Sequence, residues 1–166
     1  LKKSWIFPGQ ASQFVGMGKD LFDNTDIGKK YYNLANDILE VNIQDISFNG
    51  PEEKLKITKY TQPAIFIVSS VISHLLIENG HVPGCVAGHS LGEYSALTAA
   101  GGISFETGLE LVKIRSNSMD KAGITNPGTM AAIIGLNMDS VVKLANSIKT
   151  NEVIVAANHN TENQIV

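Results

Sequence analysis

Cysteine and net charge are both scarce in this 166-residue chain. A single cysteine, Cys85, excludes a disulfide within the chain and fits a reducing compartment. We expect it to be a small buried residue rather than a reactive thiol. The net charge of −3, from 13 basic and 16 acidic residues, gives no argument for nucleic-acid binding.

Long apolar runs and cofactor motifs are also lacking. The longest apolar segment, residues 64–77, is interrupted by three serines and a histidine, and we expect it to be too short to span a bilayer. No signal-peptide pattern is apparent, so the sequence predicts a soluble cytoplasmic protein without a membrane partner. The sequence contains no G-x-x-x-x-G-K-[ST], H-E-x-x-H or C-x-x-C, and we expect no metal and no cofactor.

What the chain does contain is a G-x-S-x-G pentapeptide, Gly-His-Ser-Leu-Gly at residues 88–92. In a nucleophile elbow, this pattern puts serine on a sharp turn between a strand and a helix. The small apolar residues at 85–87 favour the strand, and residues 93–100 favour the helix. Ser90 is therefore the candidate nucleophile.

The remaining pattern alternates between strands and helices. The apolar residues 4–7 predict a strand that stops at Pro8, and the polar stretch 19–59 predicts short helical pieces. A helix is expected to start at Pro63, the first-turn position that proline tolerates best. Further expectations are a helix at 104–122 with Ser104 as its N-cap, a strand at 129–135, a helix at 139–149, and strands at 152–157 and from residue 164.

Twelve of the 13 basic residues are lysine, and the one arginine is Arg115. At about 100° per residue, Arg115 falls on the apolar side of the 104–122 helix. That side also carries Phe105, Leu109, Leu111, Val112 and Met119. An inward charge needs a partner. The partner could be an internal carboxylate such as Glu93, or a substrate carboxylate, which the guanidinium fork would hold with two parallel hydrogen bonds. With a serine nucleophile, the second option favours acyl groups that carry a free carboxylate, such as malonyl.

Several blocks of sequence occur in one order: F-P-G-Q at 7–10, T-Q-P-A at 61–64, G-H-S-L-G-E-Y-S-A at 88–96, L-V-K-I-R at 111–115 and G-T-M-A-A-I-I-G-L at 128–136. Together they resemble the amino-terminal half of malonyl-CoA:acyl-carrier-protein transacylases. The resemblance covers nearly the whole chain. It implies an α/β fold, with part of an α/β-hydrolase-like large subdomain over residues 1–126. Residues 127–166 would begin an inserted ferredoxin-like subdomain.

The resemblance also implies a reaction and a set of residues. Ser90 would take a malonyl group from malonyl-CoA and pass it to the phosphopantetheine thiol of acyl carrier protein in fatty-acid synthesis. Arg115 would bind the malonyl carboxylate. The backbone N–H groups of Gln10 and Leu91 would form the oxyanion hole, as is general for one donor after the nucleophile and one from an earlier loop.

No histidine in the chain is well placed by sequence to act as the base. His89 lies on the tight turn, where a structural role is expected; His74 and His81 are expected to be solvated, and His159 lies in the second subdomain. The family's histidine comes from the carboxyl-terminal half, so we expect a fragment without its base and with very poor turnover. The alternatives are an acyltransferase domain of a polyketide synthase, an ordinary serine esterase, and a catalytically silent binding fragment.

Overall fold

The computed structural model describes residues 3–148 and 151–166. These residues form two compact units, 1–125 and 126–166. The first unit contains a two-stranded parallel sheet and seven helices over its described residues: β1 (Ser4–Phe7), α1 (Lys19–Asn24), α2 (Asp26–Leu39), α3 (Ile43–Asn49), α4 (Glu52–Leu55), α5 (Thr58–Glu78), β2 (Cys85–Gly88), α6 (Gly92–Ala99) and α7 (Phe105–Thr125).

The predicted strand–turn–helix around the pentapeptide is confirmed. β1 pairs with β2 in parallel register, with Phe7 opposite Gly88 at the carboxyl ends of both strands. Because the two strands run in the same direction, the loop after β1 and the turn after β2 meet at the same edge of the sheet. Cys85 is exposed rather than buried, because its strand is at the surface; its Sγ lies 3.0 Å from the Ser4 Oγ.

Helix α5 is the core helix of the first unit. The prediction that it starts at Pro63 is wrong: it begins at Thr58, and Pro63 lies inside it. A proline there removes one backbone hydrogen bond, but the surrounding residues 61–67 are all buried, and this packing supports the helix across the lost bond.

Helix α5 has 21 residues and a mean hydropathy of 1.4 over its most apolar window, so it is long and apolar enough to cross a membrane. The sequence predicts a shorter apolar segment, 64–77, that could not. However, 61% of that window is buried within the fold, as in the core helix of a compact protein.

The other long helix is α7, and it packs against α5. The expected N-cap is confirmed, since Ser104 Oγ accepts a hydrogen bond from the Thr107 N–H at 3.1 Å. Its apolar face is narrower than predicted. Phe105, Leu109 and Val112 are buried, whereas Leu111 and Met119 are 40% and 45% exposed.

The second unit is small. Its described residues form β3 (Ile133–Ile134), α8 (Met138–Ser147), β4 (His159–Thr161) and β5 (Gln164–Ile165), in an antiparallel sheet of order β3–β5–β4. The strand predicted over 129–135 is only two residues long, and Lys149, the predicted end of the helix, lies outside the described residues. That this unit begins a ferredoxin-like subdomain stays a prediction.

The strand predicted over 152–157 is wrong. Its apolar, β-branched residues favour an extended chain, but the backbone there forms no strand. The strand that pairs with β5 on this side is β4, with His159 opposite Ile165. Residues 152–157 precede it.

Candidate active site

The turn between β2 and α6 holds Ser90 in a left-handed backbone conformation, with a φ of 55°. Three backbone hydrogen bonds fix this turn. The His89 N–H donates to the Phe7 carbonyl at 3.0 Å, the Gly92 N–H to the His89 carbonyl at 2.9 Å, and the Glu93 N–H to the Ser90 carbonyl at 3.2 Å. A positive φ is rare for serine and is found where surrounding structure enforces it, often at reactive positions.

The glycines of the pentapeptide are required by close backbone approach. A side chain at Gly88 would collide with the backbone of Gly92, on the other side of the turn. A side chain at Gly92 would collide with the Phe7 carbonyl and would lie 2.8 Å from that of Pro8. The two glycines thus let the turn close against the end of β1.

Arg115 reaches Ser90 from α7. Its Nη2 donates a hydrogen bond to the Ser90 Oγ at 2.9 Å. Its Nη1 donates to the side-chain Oε1 of Gln62 at 2.6 Å. The structure thus brings together the two residues that sequence singled out, 25 positions apart.

The internal ion pair considered from sequence is not formed. Among the described residues, no carboxylate lies within salt-bridge distance of Arg115, and the ion pairs found there involve other groups. Arg115 is half-buried rather than enclosed, which lowers the cost of leaving its charge without an acidic partner. Its described contacts in the site are a neutral amide and a neutral hydroxyl.

Gln62 is the residue of this site that sequence reasoning missed. It lies on α5, its side chain is 1% exposed, and its Nε2 donates to the Met119 Sδ at 3.3 Å. A signal was present, because a glutamine within a fully buried stretch must satisfy its amide through specific partners. Periodicity could not name those partners, since both lie on α7.

The candidate oxyanion donors lie on the two loops that meet at the sheet edge. Leu91 has a fully buried side chain and immediately precedes the first turn of α6, where N–H groups lack intrahelical acceptors. Gln10 follows β1; its Nε2 donates to Thr58 Oγ1 at 3.3 Å, and its neighbour Ala11 has a φ of 85°. Within the described residues, neither backbone N–H donates to a backbone carbonyl. Their catalytic role stays a prediction.

The histidines are distributed as follows. The His89 ring faces Gly9, where an added side chain would lie 2.8 Å from its Nδ1. His74 is half-buried rather than fully solvated: its Nδ1 lies 3.2 Å from the Tyr31 hydroxyl and its Nε2 lies 3.1 Å from Glu78 Oε1. His81 is exposed, and His159 is on β4 of the second unit.

A cavity at the site and a metal site are two further features that a catalytic centre could have. A cavity of about 620 Å³ is lined by β1 and α5, including Trp5, Ile65 and Ile72, but its lining does not include Ser90 or Arg115. Over residues 3–148 and 151–166, no three histidine, cysteine or acidic side chains come together as a metal site would require.

Comparison with known proteins agrees with the geometry. The family described as "Acyl transferase domain" matches residues 4–166. Among curated relatives, the malonyl CoA-acyl carrier protein transacylase of Synechocystis sp. is 42% identical, over 100% of this chain and 54% of its own length. That of Bacillus subtilis is 37% identical, over 99% of this chain and 52% of its own length.

Solved structures share the fold. The crystal structure of the Synechocystis malonyl-CoA:ACP transacylase has a TM-score of 0.87 at 41% identity, over 99% of this chain and 54% of that one. A complex described as a type II PKS acyl-carrier protein with its malonyl-transacylase gives 0.87 at 33% identity, with the same shares. The chain spans about half the length of the relatives it matches. The predicted α/β fold is confirmed, and the chain belongs to the acyl transferase domain family.

Proposed function

We propose that the protein containing this chain is a malonyl-CoA:acyl-carrier-protein S-malonyltransferase. The observation that carries the proposal is the hydrogen bond from Arg115 to the hydroxyl of Ser90, made by an arginine that has no acidic partner among the described residues. A nucleophile and an uncompensated positive charge, in direct contact, suit an acyl group with a carboxylate at its far end.

In the first half of the reaction, Ser90 Oγ attacks the thioester carbonyl of malonyl-CoA and forms a tetrahedral oxyanion. The N–H groups of Leu91 and Gln10 would stabilise that oxyanion, an interaction usually worth about 2.7–4 kcal/mol per donor. The carbon–sulfur bond then breaks, and the serine proton passes through a base to the coenzyme A thiolate. By family resemblance, we expect that base to be a histidine of the family's carboxyl-terminal half.

In the second half, the phosphopantetheine thiol of acyl carrier protein attacks the malonyl-serine ester. A second oxyanion forms in the same hole, and the Ser90 alkoxide leaves and regains its proton. Arg115 would hold the malonyl carboxylate throughout, so the acyl group keeps one position while its carrier changes. The transfer changes no oxidation state, and Ser90, a base and the two thiols account for every bond made and broken, so we propose that no metal or other cofactor takes part.

A polyketide pathway is the alternative that a specific observation favours. One relative of known structure is described in complex with a type II PKS acyl-carrier protein. The chemistry proposed for Ser90 and Arg115 is the same whichever carrier accepts the malonyl group, so the carrier decides between the two pathways. Transfer from the malonylated enzyme to fatty-acid or polyketide carrier proteins, measured in parallel, would distinguish the two. A cytoplasmic location stays a prediction.

The direct test of the proposed function is intact-mass analysis of the complete gene product after mixing with malonyl-CoA. We expect a mass gain of one malonyl group, which is absent from S90A and disappears when holo acyl carrier protein is added. Folded protein that gains no mass near neutral pH would refute the proposal.

Substrate preference tests the role of Arg115. We expect R115A to lose about ten- to a hundredfold in kcat/KM for malonyl-CoA, the usual value of hydrogen bonds to a charged group, and to change little toward acetyl-CoA. R115K keeps the charge but loses the planar fork, so its kcat/KM for malonyl-CoA should lie between those of wild type and R115A. K121A, which removes an exposed charge from the same helix, is the control. Equal losses for both donors would contradict carboxylate binding.

A further inference from the structure

Gln62 lies between two residues of α7 that are one helical turn apart. Its Oε1 accepts from Arg115 Nη1 at 2.6 Å, and its Nε2 donates to Met119 Sδ at 3.3 Å. The side chain is 1% exposed, so water offers its amide little alternative. Helix α5 therefore hydrogen-bonds the arginine of the site through this buried amide.

The orientation of that amide is determined by the chemistry of its two partners. A guanidinium group only donates hydrogen bonds, so it must face the carbonyl oxygen of Gln62. A thioether sulfur only accepts, so it must face the NH₂ group. The reversed amide would set donor against donor at Arg115 and would leave the Met119 sulfur facing an oxygen. Arg115 and Met119 thus select one orientation of Gln62.

The consequence for Arg115 is that it is anchored without being neutralised. A carboxylate at position 62 would make a charge-assisted pair with Nη1 and would compete with any incoming carboxylate for the guanidinium. The amide of Gln62 holds Nη1 in place but contributes no negative charge. Nη2 remains directed at Ser90, with its positive charge available to a ligand.

We propose that Gln62 is a positioning and specificity residue. It holds the Arg115 guanidinium beside Ser90 and, because it is neutral, keeps that charge available for the carboxylate of the acyl donor. This proposal rests on the proposed function. It adds Gln62 to the residues of the site and gives a reason for selectivity toward donors with a carboxylate, namely that the buried partner of Arg115 is neutral.

The test compares Q62E with Q62M in the complete gene product, using kcat and KM for malonyl-CoA and acetyl-CoA. Q62E supplies the competing charge, and we expect it to raise KM for malonyl-CoA by roughly ten- to a hundredfold, in line with a lost charge-assisted bond. The loss for acetyl-CoA should be much smaller, since that donor has no carboxylate. Q62M removes the anchor but adds no charge, so its loss for malonyl-CoA should be smaller.

Controls separate this inference from a general structural effect. Q44E makes the same charge change on α3, outside the site, and should alter neither donor. If thermal melting shows that Q62E does not fold, Q62M still tests the anchor, because an anchoring role predicts a larger rise in KM for malonyl-CoA than for acetyl-CoA. Equal losses for both donors in Q62M and Q62E would overturn the role of Gln62. A wild-type enzyme that takes no malonyl group would instead overturn the proposed function.

Discussion

Ser90 has a backbone conformation that serine adopts only when its surroundings enforce it. The left-handed region costs a residue with a Cβ about 1–2 kcal/mol, and glycine pays no such cost. Here the cost is borne because three backbone hydrogen bonds and two glycines close the turn around the serine. The hydroxyl is thereby held at the sheet edge, beside Arg115.

Comparing two substitutions at this position measures the strain without involving catalysis. S90A and S90G both remove the hydroxyl, but only glycine relieves the positive φ. Relief of the positive φ favours glycine by about 1–2 kcal/mol, and glycine's greater freedom in the unfolded chain offsets about 0.5–1 kcal/mol of this. S90G should therefore be more stable than S90A by roughly 0.5–1 kcal/mol. Denaturant unfolding measures the difference.

The matched control is Ser118, an exposed residue in the helical conformation of α7. There the order should reverse, with S118G less stable than S118A by about 1 kcal/mol, the ordinary difference in helix propensity. The same order at both positions would mean that the turn does not constrain Ser90.

The residues that sequence identified were those whose chemistry is local. Ser90 stands in a pentapeptide with a fixed turn, and Arg115 is the one arginine on a helix with a readable apolar side. Gln62 was missed because its significance depends on two side chains of another helix, more than 50 positions away. The exposure of Cys85 was missed for a similar reason, since burial of a strand depends on what covers the sheet.

At the scale of elements, the sheet edge is assembled by close contact between β1 and the start of α6. Gly92 packs against the carbonyls of Phe7 and Pro8, and Gly88 packs against Gly92 itself. These contacts fix how closely the turn that carries Ser90 approaches the loop that carries Gln10. The glycines of the pentapeptide thus determine the spacing of two elements as well as the shape of one turn.

Alanine at Gly92 should force those elements apart. Backbone atoms cannot move aside as a flexible side chain can, so we expect G92A to lose about 1–3 kcal/mol of stability through overpacking, with malonylation of Ser90 strongly reduced. G123A is the matched control. It lies in α7 with no atom within 4 Å of the added methyl group, and should gain up to about 1 kcal/mol. Thermal or denaturant unfolding checks both, and an unaffected G92A would refute the packing argument.

Element prediction succeeded where one segment determines its own structure. β1, the pentapeptide turn and the Ser104 cap follow from local chemistry, and the structure has them all. The start of α5 was misplaced because Pro63 favours a first turn locally, whereas the helix begins at Thr58 and already buries Thr61 and Gln62 before the proline. The strand at 152–157 failed because β propensity is local, whereas a strand also needs a partner, and the segment that pairs with β5 is β4.

At the scale of the whole molecule, the core of the first unit makes stability sensitive to alkaline pH. Tyr32 is fully buried, and its hydroxyl donates to the Met17 carbonyl at 3.3 Å. Burial raises the pKa of Tyr32 well above its usual value of 10.0. Above that usual value, the unfolded chain loses this proton and the folded chain keeps it, so folding stability falls as pH rises.

Y32F removes that proton and should change the pH profile in a defined way. Near neutral pH it should be less stable than wild type by about 1 kcal/mol, because the Met17 carbonyl loses its donor. Between about pH 10 and 12 the wild type should lose up to about 1.4 kcal/mol per pH unit through Tyr32, and Y32F should not, so the gap of about 1 kcal/mol should close and then reverse sign. Unfolding free energies measured across this range test the sign, and a constant gap would contradict it.

The two units differ in how much apolar surface each buries. The first contains a continuous core around α2, α5 and α7. Among the described residues of the second, the buried apolar side chains are Val141 and Ile165, while Val153 is 87% exposed and Ile134 is 75% exposed. A unit of that size buries too small a fraction of its surface to be stable without further support. The first unit should therefore resist local unfolding better than the second.

Limited proteolysis of the 166-residue chain tests this inequality. Residues 126–132 join the units, are exposed and have no helix or strand, so elastase should cut there, after Ala131 or Ala132. The exposed, irregular residues 153–155 offer further sites within the second unit. The piece up to that cut should persist, and the remainder should be degraded, because cleavage follows the population of locally open states. Replacing both alanines with aspartate removes the preferred sites and should slow the cut between the units without changing the melting temperature. A first cut within α5, or a resistant piece from the second unit, would show that the core does not determine where the chain opens.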